Sequence, residues 1–337
     1  MKTALRDYII ASSPATVVGV WNLGENLQRE SVEAASRWQF ALLEYLQIPL
    51  DEPLSPLLSL ALGSAFFLPL LMAALATTRA WAEVFSRTRG RPVDPGWLLH
   101  AWLFALLLPA TMPLHLAVFG LSFGAVFGCY VFGGTGRYIV NPALLGVAFI
   151  SISYPDLLAP NNWLPGSDSI SSWALVADGG IDAAVAADSS WSALFVGIEA
   201  GAMGTSSALA CLLGATYLIV RKVASAGIVA AALIGLLFAG ELVGDVPSHW
   251  HLATGSFAFG LAFIATDQTT TPRTAIGCWT YGALFGVLVV ILRIADPGHP
   301  EATVSALLLA TLCVPLLDYV ARLAGPDAET PGVAGRG

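Results

Sequence analysis

Between two long apolar runs lies FGGTGRYIVNP, from Phe132 to Pro142, which sets three glycines, an arginine and an Asn-Pro step where a membrane helix would have to continue. Backbone at bilayer depth must be hydrogen-bonded within the protein, so such an interruption persists only where it is buried in protein or lines a watery cavity. Gly133, Gly134 and Gly136 let the backbone come close to a ligand, and Arg137 brings a fixed positive charge for an anion or a carbonyl oxygen. The same residues also read as a short cytoplasmic turn whose arginine obeys the positive-inside rule. Residue chemistry alone leaves both readings open.

The surroundings of this break are those of a polytopic membrane protein. Of 337 residues, 56% are hydrophobic and 11% charged, against about 25% charged in an average soluble domain. The net charge of -8 reflects carboxylates gathered in two loops and near the chain ends, so it speaks about topology rather than partners. No basic cluster interleaves with aromatics, which disfavours a nucleic-acid partner. Cys129, Cys211, Cys278 and Cys313 sit in or beside apolar runs without a CxxC pair, and read as packing residues. Lys2 and Arg6 precede an apolar stretch interrupted by Ser12, Ser13 and Pro14, which reads as a first membrane segment rather than a cleaved leader.

Apolar runs place spans near residues 8–22, 56–78, 97–111, 114–131 and 142–154, and again near 193–220, 226–240, 251–265, 277–295 and 302–321. Several fall short of the roughly 20 residues of a full crossing, so broken or buried helices are expected. Arg79, Arg87, Arg89 and Arg91, then Arg221 and Lys222, then Arg273 and Arg322, all follow spans on one side, the cytoplasm. The Glu-rich segment 25–52 and the loop 156–192, with five aspartates and no Lys or Arg, fall on the other side. The expected fold is therefore all-α, with ten membrane segments, both termini cytoplasmic, and two inverted five-helix repeats. Residues 1–155 form the first repeat, 156–192 an extracytoplasmic acidic loop, 193–323 the second repeat and 324–337 a disordered cytoplasmic tail. In the second half, residues 266–273 are the counterpart of the first break.

A charge at the bilayer centre costs at least about 2.5–3.5 kcal/mol, so charged residues in apolar sequence need a reason. Glu199 in VGIEAGAMG and Arg293 in VILRIAD stand out. Arg293 is expected to snorkel to an interface, while Glu199, beside glycine-rich backbone, reads either as a snorkelling residue or as a candidate for an ion path. Asp267 ends a span and reads either as a loop cap or as a cation ligand. His249 and His251 flank Trp250 in what reads as an aromatic-belt turn, with a metal pair as the other reading.

These segments, in order, resemble a known family. RDYIIASSPATVVGVWNLG, LLPATMPLHLAVFGLSFG, FGGTGRYIVNPALLGVAF, GAMGTSSALACLLGA, GSFAFGLAFIATD, YGALFGVLVVILR, PEATVSALLLA and PLLDY run almost end to end like NqrB, a membrane subunit of the sodium-translocating NADH:quinone oxidoreductase, and its relative RnfD of the Rnf complex. The resemblance implies the same ten-segment inverted-repeat fold. It implies a lipid-embedded subunit with the other subunits of such a complex, and quinone, as partners.

It also implies a flavin mononucleotide (FMN) esterified to a threonine in an extracytoplasmic motif resembling D-G-x-S-G-A-T. Here the corresponding segment is DSISSWA, where Asp168 and Ser171 match but Ala174 occupies the acceptor position. Alanine has no hydroxyl, so no covalent FMN is expected. Gly214 to Thr216 spells Gly-Ala-Thr inside an apolar span and lacks the preceding Asp and Ser. Thr205 stands where the family commonly has glutamate, and Gln268 to Thr271 where it usually reads PVSA.

Two functions follow as expectations. One is an electron-relaying subunit of a redox-driven ion pump, holding FMN, riboflavin or quinone without a covalent bond at Gly133, Gly134, Thr135, Gly136, Arg137 and Asn141. The other is a transporter or scaffold that keeps the fold, with Glu199 and Asp267 near a cation path. With no nicotinamide fingerprint and no iron-sulfur cysteine set, electrons would have to enter from partner subunits.

Overall fold

Backbone amides in a bilayer are satisfied most directly by helices, and the computed structural model is all-α, with no strand among the residues it describes. It describes residues 2–29, 55–158, 190–197, 203–244, 246–296 and 302–324. In chain order the helices are α1 (Lys2–Arg29), α2 (Pro56–Arg89), α3 (Trp97–Leu107), α4 (Leu114–Phe123), α5 (Pro142–Ser153), α6 (Trp191–Val196), α7 (Ala208–Val220), α8 (Ala226–Val243), α9 (Trp250–Ala253), α10 (Phe257–Phe259), α11 (Ala275–Ala295) and α12 (Ala302–Ala324). Two of them run on as π-helix, α4 through Gly124–Tyr130 and α10 through Gly260–Ile264. Each π segment ends just before one of the two breaks read from the sequence.

Among the described residues, α2, α8, α11 and α12 are long and apolar enough to cross a membrane. The shorter apolar helices are α3, α4 with its π extension, α5 and α7. Each expected apolar run contains helix among the described residues, but three details differ from the sequence reading. The run at 193–220 is not one span, because α6 ends at Gly197 in a left-handed cap and α7 begins only after Ser207. The run at 251–265 is divided by the turn at Thr254 and Gly255. And α2, at 34 residues, continues through the expected loop as far as Arg89. A helix that long spans about 50 Å, well beyond a hydrocarbon core of about 30 Å. Its last turns therefore carry Arg79, Glu83 and Arg87 as exposed i,i+4 pairs at 3.7 Å, an arrangement that adds little stability.

Arg293 also departs from expectation. Rather than snorkelling, it is buried at 1% exposure. Its guanidinium donates to the carbonyls of His251 and Thr254, each at 2.7 Å. It thereby satisfies carbonyls at the end of α9 that helix geometry leaves open. His249 lies against Trp191, whose indole donates to the His249 carbonyl at 3.0 Å, as an aromatic turn would.

Lipid chains are as apolar as leucine, so helices in a bilayer associate mainly by close packing of small residues. The most extensive helix pairing, α8 on α11, follows that rule. A Cβ on Gly286 would lie 2.2 Å from the Ala232 carbonyl oxygen, and one on Gly282 2.4 Å from that of Ile228. Exposed Leu57, Ile152, Val220, Leu242 and Leu323 give the chain an apolar outer surface. Replacing Gly286 with Ala is expected to overpack this seam by about 1–3 kcal/mol. Thermal unfolding in detergent should show a lowered midpoint, against no change for Leu237→Ala on the half-exposed face of α8.

Candidate functional site

The two breaks meet. In the first, Gly133, Gly134 and Gly136 have φ of +112°, +99° and +90°, values that side-chain-bearing residues rarely adopt. The turn is anchored by Asp94, whose carboxylate accepts the amide of Thr135 at 2.5 Å and that of Gly96 at 2.9 Å. A Cβ on Gly134 would sit 2.5 Å from that same carboxylate, so glycine there is required by space as well as by φ. Asn141 then starts α5. Its side-chain oxygen accepts from the Ala143 amide at 2.9 Å, as an N-cap does.

In the second break, Asp267 sits 8% exposed after the π segment of α10. One carboxylate oxygen accepts the Tyr138 hydroxyl at 2.7 Å and the Asn141 amide at 2.9 Å. The other accepts the Thr269 amide at 3.0 Å. Burial and the neighbouring carboxylate push the Tyr138 hydroxyl well above its ordinary range, so it remains protonated and acts as a donor. Three donors occupy three of the roughly four lone-pair positions of a carboxylate, leaving capacity for one more ligand.

Further residues fix this second break. The Tyr8 hydroxyl of α1 donates to the Thr266 carbonyl at 2.7 Å, and the Gln268 amide to the Val223 carbonyl at 2.8 Å. From α12, the Asp318 carboxylate accepts the amides of Arg273 and Thr274 and the Thr274 hydroxyl at 3.0–3.3 Å. Beside Asp267 opens a cleft of about 40 Å³ lined by Tyr8, Leu99, Thr135, Gly136, Tyr138 and Asp267 among others. A water needs about 10–15 Å³ measured in this way, so the cleft has room for a few waters or a small ion. Organic ligands occupy pockets of roughly 300–1,000 Å³. A flavin or quinone ring does not fit it.

Of the residues singled out in the sequence, Thr135, Gly136 and Asp267 border the cleft, and Asn141 bonds to Asp267 directly. Gly133 and Gly134 shape the turn. Arg137 is exposed, with its stem beside Gly133. Glu199 and Ala174 lie outside the described residues. Sequence reasoning passed over Tyr8, Asp94, Tyr138 and Asp318. Asp318 was within reach of the test applied to Glu199 and Arg293, since it is a carboxylate in the apolar run PLLDY. Tyr138 and Tyr8 carried no such signal, because tyrosines at the ends of apolar runs are ordinary.

A family model described as the NQR2, RnfD, RnfE family matches residues 1–324. The NqrB subunit of the Na(+)-translocating NADH-quinone reductase of Azotobacter vinelandii is 36% identical over 329 residues, covering 92% of this chain and 81% of that protein. Proteins of the same name from Pseudomonas aeruginosa and Haemophilus influenzae are 34% identical over 329 residues and 33% identical over 343 residues. The first covers 92% of this chain and 81% of its own length, the second 95% and 84%.

The junction makes a ranked prediction. Tyr138→Phe removes one hydrogen bond to a charged acceptor, worth about 1.5–3 kcal/mol. Asn141→Ala removes a comparable bond and also a helix cap worth about 0.5–2 kcal/mol. Thermal unfolding in detergent should therefore fall further for Asn141→Ala than for Tyr138→Phe.

Proposed function

We propose a function for this chain from the family to which it belongs, the NQR2, RnfD, RnfE family. It is an integral membrane subunit of a redox-driven, ion-translocating complex of the NADH:quinone oxidoreductase type. Within it, the Asp267 junction is the cytoplasmic mouth of a path for a monovalent cation. The observation that carries this reading is the buried Asp267 carboxylate, which joins the two helix breaks and keeps one ligand position beside a cleft of ion and water size. Like a discontinuous-helix transporter site, it is irregular backbone that lines a cavity at the meeting of two halves.

The halves are inverted repeats in this proposal. Each half carries an apolar helix that turns to π-helix immediately before its break. Both termini lie in the cytoplasm, on the side of the arginine-bearing end of α2 and of Arg221.

Electrons come from partner subunits in this reading. FMN esterified to this chain does not fit the motif segment, since Ala174 offers no hydroxyl. Free FMN, riboflavin or quinone does not fit the Asp267 cleft, so no electron step is assigned there. What these residues do is electrostatic. Tyr138, Asn141 and the Thr269 amide orient the carboxylate with neutral donors, so a cation can approach without displacing a fixed counter-ion.

The test is Asp267→Asn in the intact complex reconstituted into vesicles. Losing the carboxylate should reduce NADH-driven Na⁺ uptake at least about tenfold, the factor given by 1.4 kcal/mol of lost affinity. NADH oxidation with a soluble acceptor, a property of the partner subunits, should remain. Unchanged uptake would remove Asp267 from the path and leave it as a pin between the breaks. A complex with no redox-linked ion movement even before mutation would favour the scaffold or transporter reading to which Ala174 points.

A further inference from the structure

Behind the Asp267 junction, two buried polar atoms lack hydrogen-bond partners. One is Nε2 of His100, a residue only 2% exposed on α3. The other is the hydroxyl of Thr135, which has the weakly donating Cys129 thiol nearby. Both stand over the start of α3. The Thr135 hydroxyl overlies Gly96 so closely that a Cβ there would fall 1.9 Å from it. His100 is one turn further on, its amide bonded to the Gly96 carbonyl at 3.1 Å. The His100 ring meets the Tyr138 ring edge to face, with centroids 5.5 Å apart.

Buried polar groups are almost always satisfied, and where protein partners are missing an internal water supplies them, typically through two to four hydrogen bonds. We propose that His100 and Thr135 form an internal water site at the back of the cleft, and that its water is part of the cation path. The inference rests on the reading of Asp267 as a cation ligand for the second half of that statement only.

The chemistry suits this place. A cation leaving bulk water for a narrow cleft must have its hydration oxygens replaced one by one. Asn141 supplies no free oxygen for this, because its oxygen turns to the α5 amides and its nitrogen to Asp267. A water held by a histidine and a hydroxyl offers an oxygen whose position is fixed in advance, which lowers the reorganisation needed on binding. Thr135 and Leu99 of this region border the cleft itself. Gly96 is then small for a reason: any side chain at that position would occupy the place of the Thr135 hydroxyl.

The experiment is a mutant cycle in the intact complex with His100→Phe, Thr135→Val and the pair together, and His100→Gln as the conservative variant. A shared water predicts that each single change lowers the melting temperature and that the pair falls no further than the worse single, since both remove the same bridge. His100→Gln, whose amide can still hold water, should recover most of the loss. A melting temperature raised by His100→Phe, or strictly additive losses, would overturn the water site.

The second readout is the Na⁺ concentration giving half-maximal NADH-driven quinone reduction, which should rise several-fold in each single variant. A non-additive melting cycle without that rise would leave the water in place and overturn its part in the path. If Asp267→Asn leaves Na⁺ uptake unchanged, the cation reading fails on its own, and the melting cycle still judges the water.

Discussion

The hydrogen bonds on the Asp267 carboxylate are the interaction on which the interior of this protein depends. Two helix breaks 126 residues apart in sequence are joined there by a Tyr138 hydroxyl and an Asn141 amide. Each break alone would expose unpaired backbone in a medium that cannot hydrate it. The first break donates to the second, through the Tyr138 hydroxyl and the Asn141 amide, and with the Thr269 amide these donors offset the cost of burying the Asp267 carboxylate. None of these donors carries a charge, so the carboxylate is held in place without a fixed counter-ion.

Much of the surrounding scaffold follows from the need to keep that junction still. Asp94 fixes the first break from the turn leading into α3, and Asp318 fixes the second from α12. Tyr8 brings α1 onto the Thr266 carbonyl. Three carboxylates thus lie within the folded interior or at its edge, each used as an acceptor for backbone amides, the strongest such partner a side chain offers. Helices around them approach through glycine, as where α8 meets α11, so their axes have little freedom to slide.

Fold class and the positions of both breaks were legible in the sequence, because membrane insertion imposes rules that single residues obey: apolar runs, arginines on one side, glycines where backbone must turn. The glycine turn is the clearest case, since each of its three glycines adopts a positive φ. Less legible was anything set by tertiary neighbours. Arg293 was expected at an interface because snorkelling is the general fate of a lone arginine, yet its place is decided by the open carbonyls of His251 and Thr254, which nothing local in VILRIAD announces. The end of α2 was misplaced for another reason: hydropathy reports where lipid ends, while the helix itself ends where Gly90 takes a left-handed cap. For Asp267 the sequence leaves a choice between cap and ligand, and the geometry does not force one, since the carboxylate both accepts the Thr269 amide and borders the cleft.

The size of that cleft bears on how a chain with this fold would join ion movement to electron flow. At about 40 Å³ it admits water or a small ion but no redox ring, so the two events cannot share this cleft. Coupling would then have to pass through the protein, as a change in an element that both events bias. The Asp267 junction has the form such an element needs. Its halves belong to different parts of the chain, their contact is a handful of hydrogen bonds around one charge, and each half begins in a π segment, a helix form rare in general and often found where function requires it. A small shift of either break would alter the donors facing the carboxylate and, with them, its affinity for a cation.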